Sequence, residues 1–135
     1  MKAINYFFFY GYIAVIIAAG LWGAYVNPSL DFRVLMDVDV DSLPEYSRIN
    51  MLSQYRFLRA IESGFGFFSV LFVREIFTIR KFNRLFLTIM LLGVFARMVS
   101  LATDGQPNGA MLFFMGFELI GVIVIWKYSR KTILQ

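Results

Sequence analysis

The 135-residue sequence has no cysteine and no histidine, only three prolines, and charged residues at just 16%. Without Cys or His there is no thiolate or imidazole for zinc, no axial histidine for haem, no Ser-His or Cys-His nucleophile pair and no disulfide framework. The charged share lies well below the ~25% typical of soluble domains. Apolar residues fill the difference: 59% of the chain is hydrophobic, with 16 phenylalanines. A net charge of +4 would suit nucleic acid only if the bases formed a contiguous face. They flank the apolar stretches instead, so no nucleic-acid partner is expected. The chain reads as membrane class and as a single transmembrane domain over residues 1–135.

A spanning helix needs roughly 20 mostly apolar residues. Four stretches meet or approach that length, at about 5–26, 52–73, 85–103 and 110–127. The first resembles a signal peptide, with Lys2 ahead of it and Ala18-Ala19-Gly20 as a small-residue site, but its apolar run is too long for a signal core. The fold expected is an all-α, antiparallel four-helix transmembrane bundle.

Lys and Arg in short loops set orientation. Lys2, the segment from Arg74 to Arg84, and the tail with Lys127, Arg130 and Lys131 hold eight of the thirteen bases. These ends are expected on the cytoplasmic side, with both termini inside. The 27–50 segment carries Asp31, Asp37, Asp39, Asp41 and Glu45 against Arg33 and Arg48, and reads as a solvated extracytoplasmic loop. Asp37-Val38-Asp39-Val40-Asp41 begins like a calcium loop, yet Ser42 and Arg48 stand where glycine and glutamate are required; no metal is expected. Ser42-Leu43-Pro44-Glu45 matches a capping box, so the second helix is expected to start near Leu43. Asp104-Gly105-Gln106-Pro107-Asn108-Gly109 is a tight turn.

Ionisable residues within spans are costly and point to function. Four qualify: Arg59 and Glu62 in the second stretch, Arg97 in the third and Glu118 in the fourth. At 1.5 Å per residue, each lies ~8–12 Å inside the outer end of its helix. Helical phase groups Tyr55, Arg59, Glu62 and Gly66 on one face, Gly93, Arg97, Ser100 and Asp104 on another, and Phe114, Glu118, Gly121 and Ile125 on a third. Two arginines and two glutamates sum to zero, as burial demands. The stripes grow more polar outward through Tyr55, Arg56, Ser100 and Asp104, so a cavity among them opens outward. Gly64, Gly66, Gly93, Gly116 and Gly121 are expected to let helices approach closely. The run Tyr6-Phe7-Phe8-Phe9-Tyr10, with Trp22, Tyr25 and Trp126, reads as aromatic belts.

The stretch Arg56-Phe57-Leu58-Arg59-Ala60-Ile61-Glu62-Ser63-Gly64-Phe65-Gly66, the series Gly93, Arg97, Ser100 running into Asp104-Gly105-Gln106-Pro107, and Glu118-Leu119 together resemble a bacterial family of small four-helix membrane proteins known only as a domain of unknown function. The resemblance covers the chain from about residue 50 onward. It implies the same architecture and supplies no activity, substrate or cofactor.

The function expected is a non-enzymatic membrane module. Its outward-facing pocket of Arg59, Glu62, Arg97 and Glu118, with Tyr55, Arg56, Ser100 and Asp104, binds a lipid-like or small amphiphilic ligand or a partner helix, without a cofactor. A competing reading makes the charges staples of the bundle in an accessory subunit of a larger complex. A small oligomeric transporter is the third reading. An intramembrane enzyme using Glu62 and Glu118 as acid and base is the fourth; the arginines beside them favour ionised carboxylates, the wrong form for an acid. The partners expected are membrane lipids and a membrane-protein partner or a second copy.

Overall fold

The computed structural model describes residues 2–133, with Lys2 and residues 131–133 described in backbone only. The Lys2 and Lys131 side chains used in the orientation argument therefore lie outside the described residues. Among the described residues there is no strand. The described residues form six α-helices in sequence: α1 (Lys2–Leu21), α2 (Pro28–Met36), α3 (Glu45–Leu71), α4 (Val73–Thr78), α5 (Arg80–Thr103) and α6 (Gly109–Ile133). Among the described residues, three helical segments are long and apolar enough to cross a membrane: Ala3–Val26, Arg80–Thr103 and Gly109–Arg130. Such spans are helical because nothing in hydrocarbon can satisfy an open backbone group. α3 has the length, but Arg56, Arg59 and Glu62 fall within two turns of its middle.

Several boundaries differ from those the sequence predicts. The end of the first apolar stretch is a π-helix over Trp22–Val26, closed by the Asn27 amide donating to the Trp22 carbonyl at 3.1 Å. The 27–50 segment is structured, not an open solvated loop. Asn27 caps α2 by accepting from the Leu30 amide at 3.1 Å, and Pro28 occupies the first turn, where its missing donor costs nothing. α2 ends at Asp37, whose left-handed φ of 56° is tolerated by a short polar side chain. A 3₁₀ turn at Val40–Ser42 follows. Ser42 does not form the expected capping box: its hydroxyl donates to the Asp39 carbonyl at 2.7 Å, and α3 starts at Glu45. Asp39 and Asp41 hold Arg33 at 3.1 and 3.2 Å. The 74–84 segment is likewise mostly helical, because α4 and the first turn of α5 meet at an extended Ile79.

The chain forms two compact units, residues 13–68 and residues 1–12 with 69–135. In the first, α1 meets α3 through small residues. A Cβ on Gly20 would lie 2.8 Å from the Arg59 carbonyl oxygen and 2.9 Å from the Ser63 amide nitrogen, and one on Gly66 would collide with Ile17. Contact of this closeness gains dispersion along the whole seam between the two helices. Phe32, Val40 and Tyr55 form a small buried core that seats α2 and the 3₁₀ turn on α3.

In the second unit the opening turns of α1 pack with α4, α5 and α6. Phe9 contacts Phe77 and Phe86 with ring centroids 5.2 and 5.3 Å apart, and Ile76, Met90, Val94 and Ile125 are buried with them. Each such ring pair is worth about 0.5–1.5 kcal/mol beyond its area. α5 and α6 run antiparallel: Met90 lies against Gly121, and Arg97 lies against Met111 and Glu118. The corner between α4 and α5 is held by Asn83, whose buried amide donates to the Ile76 carbonyl at 3.0 Å.

Candidate functional site

Arg59 organises the polar residues of the 13–68 unit. Tyr55, Arg59 and Glu62 share one face of α3 by their i, i+4 and i, i+3 spacings. Arg59 Nε donates to the Tyr55 hydroxyl at 2.8 Å, and Nη1 donates to Glu62 Oε2 at 2.7 Å. The Tyr55 hydroxyl in turn donates to Asp31 Oδ2 at 2.9 Å, an oxygen 4.0 Å from Arg59 Nε. One phenol thus accepts from the cation and donates to the anion, linking α3 to α2. The guanidinium also lies over the Tyr55 ring, 5.0 Å from its centroid, and Phe32 covers that ring at 4.7 Å.

The local backbone is shaped to admit this group. A Cβ at Gly23 would lie 2.6 Å from Asp31 Oδ2 and 2.8 Å from Arg59 Cγ; glycine there leaves room for both. Gly23 sits in the π-helical turn, a widened geometry that recurs at functional sites. From the same turn the Ala24 carbonyl accepts from Arg56 Nη1 at 2.6 Å. Arg56 and Arg59 against Asp31 and Glu62 make this set neutral within its own unit.

Burial is graded across it. The side chains of Arg59 and Asp31 are 16% and 13% exposed, while that of Glu62 is 45% exposed. The cation is enclosed and compensated, and one of its carboxylates stands open.

The other predicted pair belongs to the other unit. Arg97 Nε lies 3.4 Å from Glu118 Oε2, with side-chain exposures of 37% and 15%. Arg97 Nη1 also reaches the Met111 sulfur at 3.5 Å. Ser100 and Asp104 are exposed at the end of α5, where the Asp104 amide donates to the Ser100 carbonyl at 2.8 Å. Each predicted arginine therefore has its glutamate within its own unit.

The glycines divide as well. A Cβ would meet Ile17 at Gly66 and Met90 Cε, 3.6 Å away, at Gly121, but nothing within 4 Å at Gly64, Gly93 or Gly116. The close approaches that sequence reasoning missed are Gly20 and Gly23; their i, i+3 spacing was the available signal. Asp31 was missed too, counted among five acids of a presumed solvated loop. Among the described residues, no three of His, Cys, Asp and Glu come together as a metal-holding group.

Chemically, the two sets offer a half-open carboxylate over a satisfied guanidinium and a half-open guanidinium over a mostly buried carboxylate. A search of curated proteins and of solved structures finds no match to the chain. A family model described as a domain of unknown function (DUF4345) matches residues 4–128, and the chain belongs to that family.

Proposed function

We propose that this member of the DUF4345 family is a non-enzymatic, four-span protein of a bacterial inner membrane, with both ends cytoplasmic. Its extracytoplasmic polar site binds the head of a lipid-like or small amphiphilic molecule. α3 is the fourth span in this reading: its 27 residues reach ~40 Å, beyond the ~30 Å hydrocarbon core. Its charges are admissible there because Arg56 and Arg59 are balanced by Asp31 and Glu62, which removes most of the cost of an unpaired buried ion.

The observation that carries the reading is Glu62. It is 45% exposed, while the arginine it holds is 16% exposed. A group serving only to neutralise Arg59 gains nothing by standing open; a group that meets a ligand must do so. α2 is latched to the same face of α3, through Asp31 to Tyr55.

The test is native mass spectrometry of the protein released from nanodiscs. Wild type is expected to carry a non-covalently bound amphiphile, and Glu62→Gln to lose it. The melting temperature should fall by less than about 4 °C, as suits a half-exposed ion pair worth under ~1 kcal/mol. A second reading, that the charges only staple the helices in an accessory subunit, is favoured by the three partners Arg59 already has. It predicts no bound molecule in wild type and a larger loss of stability in Glu62→Gln.

A further inference from the structure

A groove of about 420 Å³ opens in the unit formed by residues 1–12 and 69–135, between the start of α1 and α4. It is lined by Tyr6, Tyr10, Val73, Arg74, Phe77 and Thr78. Tyr6 and Tyr10 stack with centroids 6.0 Å apart, and Tyr6 meets Phe77 edge-on at 5.4 Å. The walls are thus aromatic and apolar, with two phenolic hydroxyls and one guanidinium among them.

Arg33, Arg48, Arg59 and Arg97 each have a carboxylate within 4.0 Å. Among the described residues Arg56, Arg74, Arg80, Arg84 and Arg130 have no carboxylate within 4.0 Å, and of these Arg74 is the one that lines the groove. The one acid of its helix, Glu75, is half-buried and does not line the groove. An uncompensated guanidinium beside an apolar groove is the complement of an anion that arrives with an apolar body. Position supports the same occupant. Tyr6 and Tyr10 lie three and seven residues into the candidate span that begins at Ala3, ~5 and ~10 Å along it. That depth is where head groups meet acyl chains, and where tyrosine is favoured because one end of it is apolar and the other wet.

We propose that this groove is a site for the phosphate of an anionic glycerophospholipid, in the leaflet at which α1 and α5 begin. Arg74 donates to the phosphate oxygens, as guanidinium groups do in charge-assisted pairs, and Tyr6 and Tyr10 flank the glycerol and first methylenes. The site uses none of the residues of the polar site proposed above, and stands or falls apart from it.

The experiment is lipid retention by native mass spectrometry after release from vesicles of equal phosphatidylglycerol and phosphatidylcholine. Wild type is expected to keep phosphatidylglycerol in preference, and Arg74→Gln to lose that preference by roughly tenfold, the worth of one charge-assisted bond. Arg74→Lys should keep most of it, and Lys81→Gln, which removes a base outside the groove, should change it little. Tyr10→Phe removes one hydroxyl without removing the ring and should weaken retention less than Arg74→Gln. Equal retention of both lipids by wild type overturns the proposal. So does unchanged preference in a monodisperse, helical Arg74→Gln, or an effect of Lys81→Gln as large as that of Arg74→Gln. Displacement of the lipid by millimolar inorganic phosphate overturns the lipid assignment in favour of free phosphate; persistence of the lipid supports it.

Discussion

Replacing Gly20 by alanine tests the packing on which the Arg59 site rests. The new Cβ would lie 2.8 Å from the Arg59 carbonyl oxygen and 2.9 Å from the Ser63 amide nitrogen. A comfortable contact needs ~3.5 Å, so α1 and α3 must part by about 0.7 Å; the obstructing atoms are backbone and cannot rotate away. Overpacking of this kind costs about 1–3 kcal/mol, and alanine's better helix propensity returns up to ~1; from the middle of that cost range the net loss is about 1–2 kcal/mol. For a chain of this size that is a fall of roughly 3–8 °C in melting temperature, read by circular dichroism in micelles. The control is Gly64→Ala, on α3, where a Cβ meets nothing within 4 Å and stability should hold or rise slightly. If Gly20→Ala melts with Gly64→Ala, the close approach of α1 to α3 is refuted, and with it the enclosure of Arg59.

Two further outcomes follow from the other unit. Arg97→Gln or Glu118→Gln alone should lower stability by about 1–3 kcal/mol, between the limits for exposed and buried pairs; exchanging the two, Arg97→Glu with Glu118→Arg, should recover much of it in the same melting assay. Asn83→Ala leaves the buried Ile76 carbonyl without its side-chain donor and should cost about 1–3 kcal/mol, with faster proteolysis at the α4–α5 corner.

What the sequence made legible follows from how each feature is encoded. Arg59 with Glu62, and Arg97 with Glu118, stood out because charge inside an apolar run is rare and helical spacing gives its direction. Their neutrality was legible only as a sum over four residues. The structure pairs Arg59 with Glu62 and Arg97 with Glu118 and adds Asp31 to Arg59; Asp31 was hidden among neighbouring acids of which Asp39 and Asp41 do serve exposed pairs with Arg33. The π-helical turn at Trp22–Val26 has no residue signature, since widening depends on what packs beside it. α2 did have one, Asn27 before Pro28, but five acids in 27–50 made solvation the stronger signal. The break after Leu71 falls in Leu71-Phe72-Val73, with neither glycine nor proline, so no local pattern reports it.

The central claim, a half-open carboxylate on the extracytoplasmic side, is tested most directly by thiol labelling, which is clean because the chain has no cysteine. Glu62→Cys and Asn108→Cys should react with a membrane-impermeant maleimide in spheroplasts, while Thr78→Cys reacts only after lysis. Labelling of Thr78→Cys in intact spheroplasts, with Glu62→Cys silent until lysis, would contradict the account.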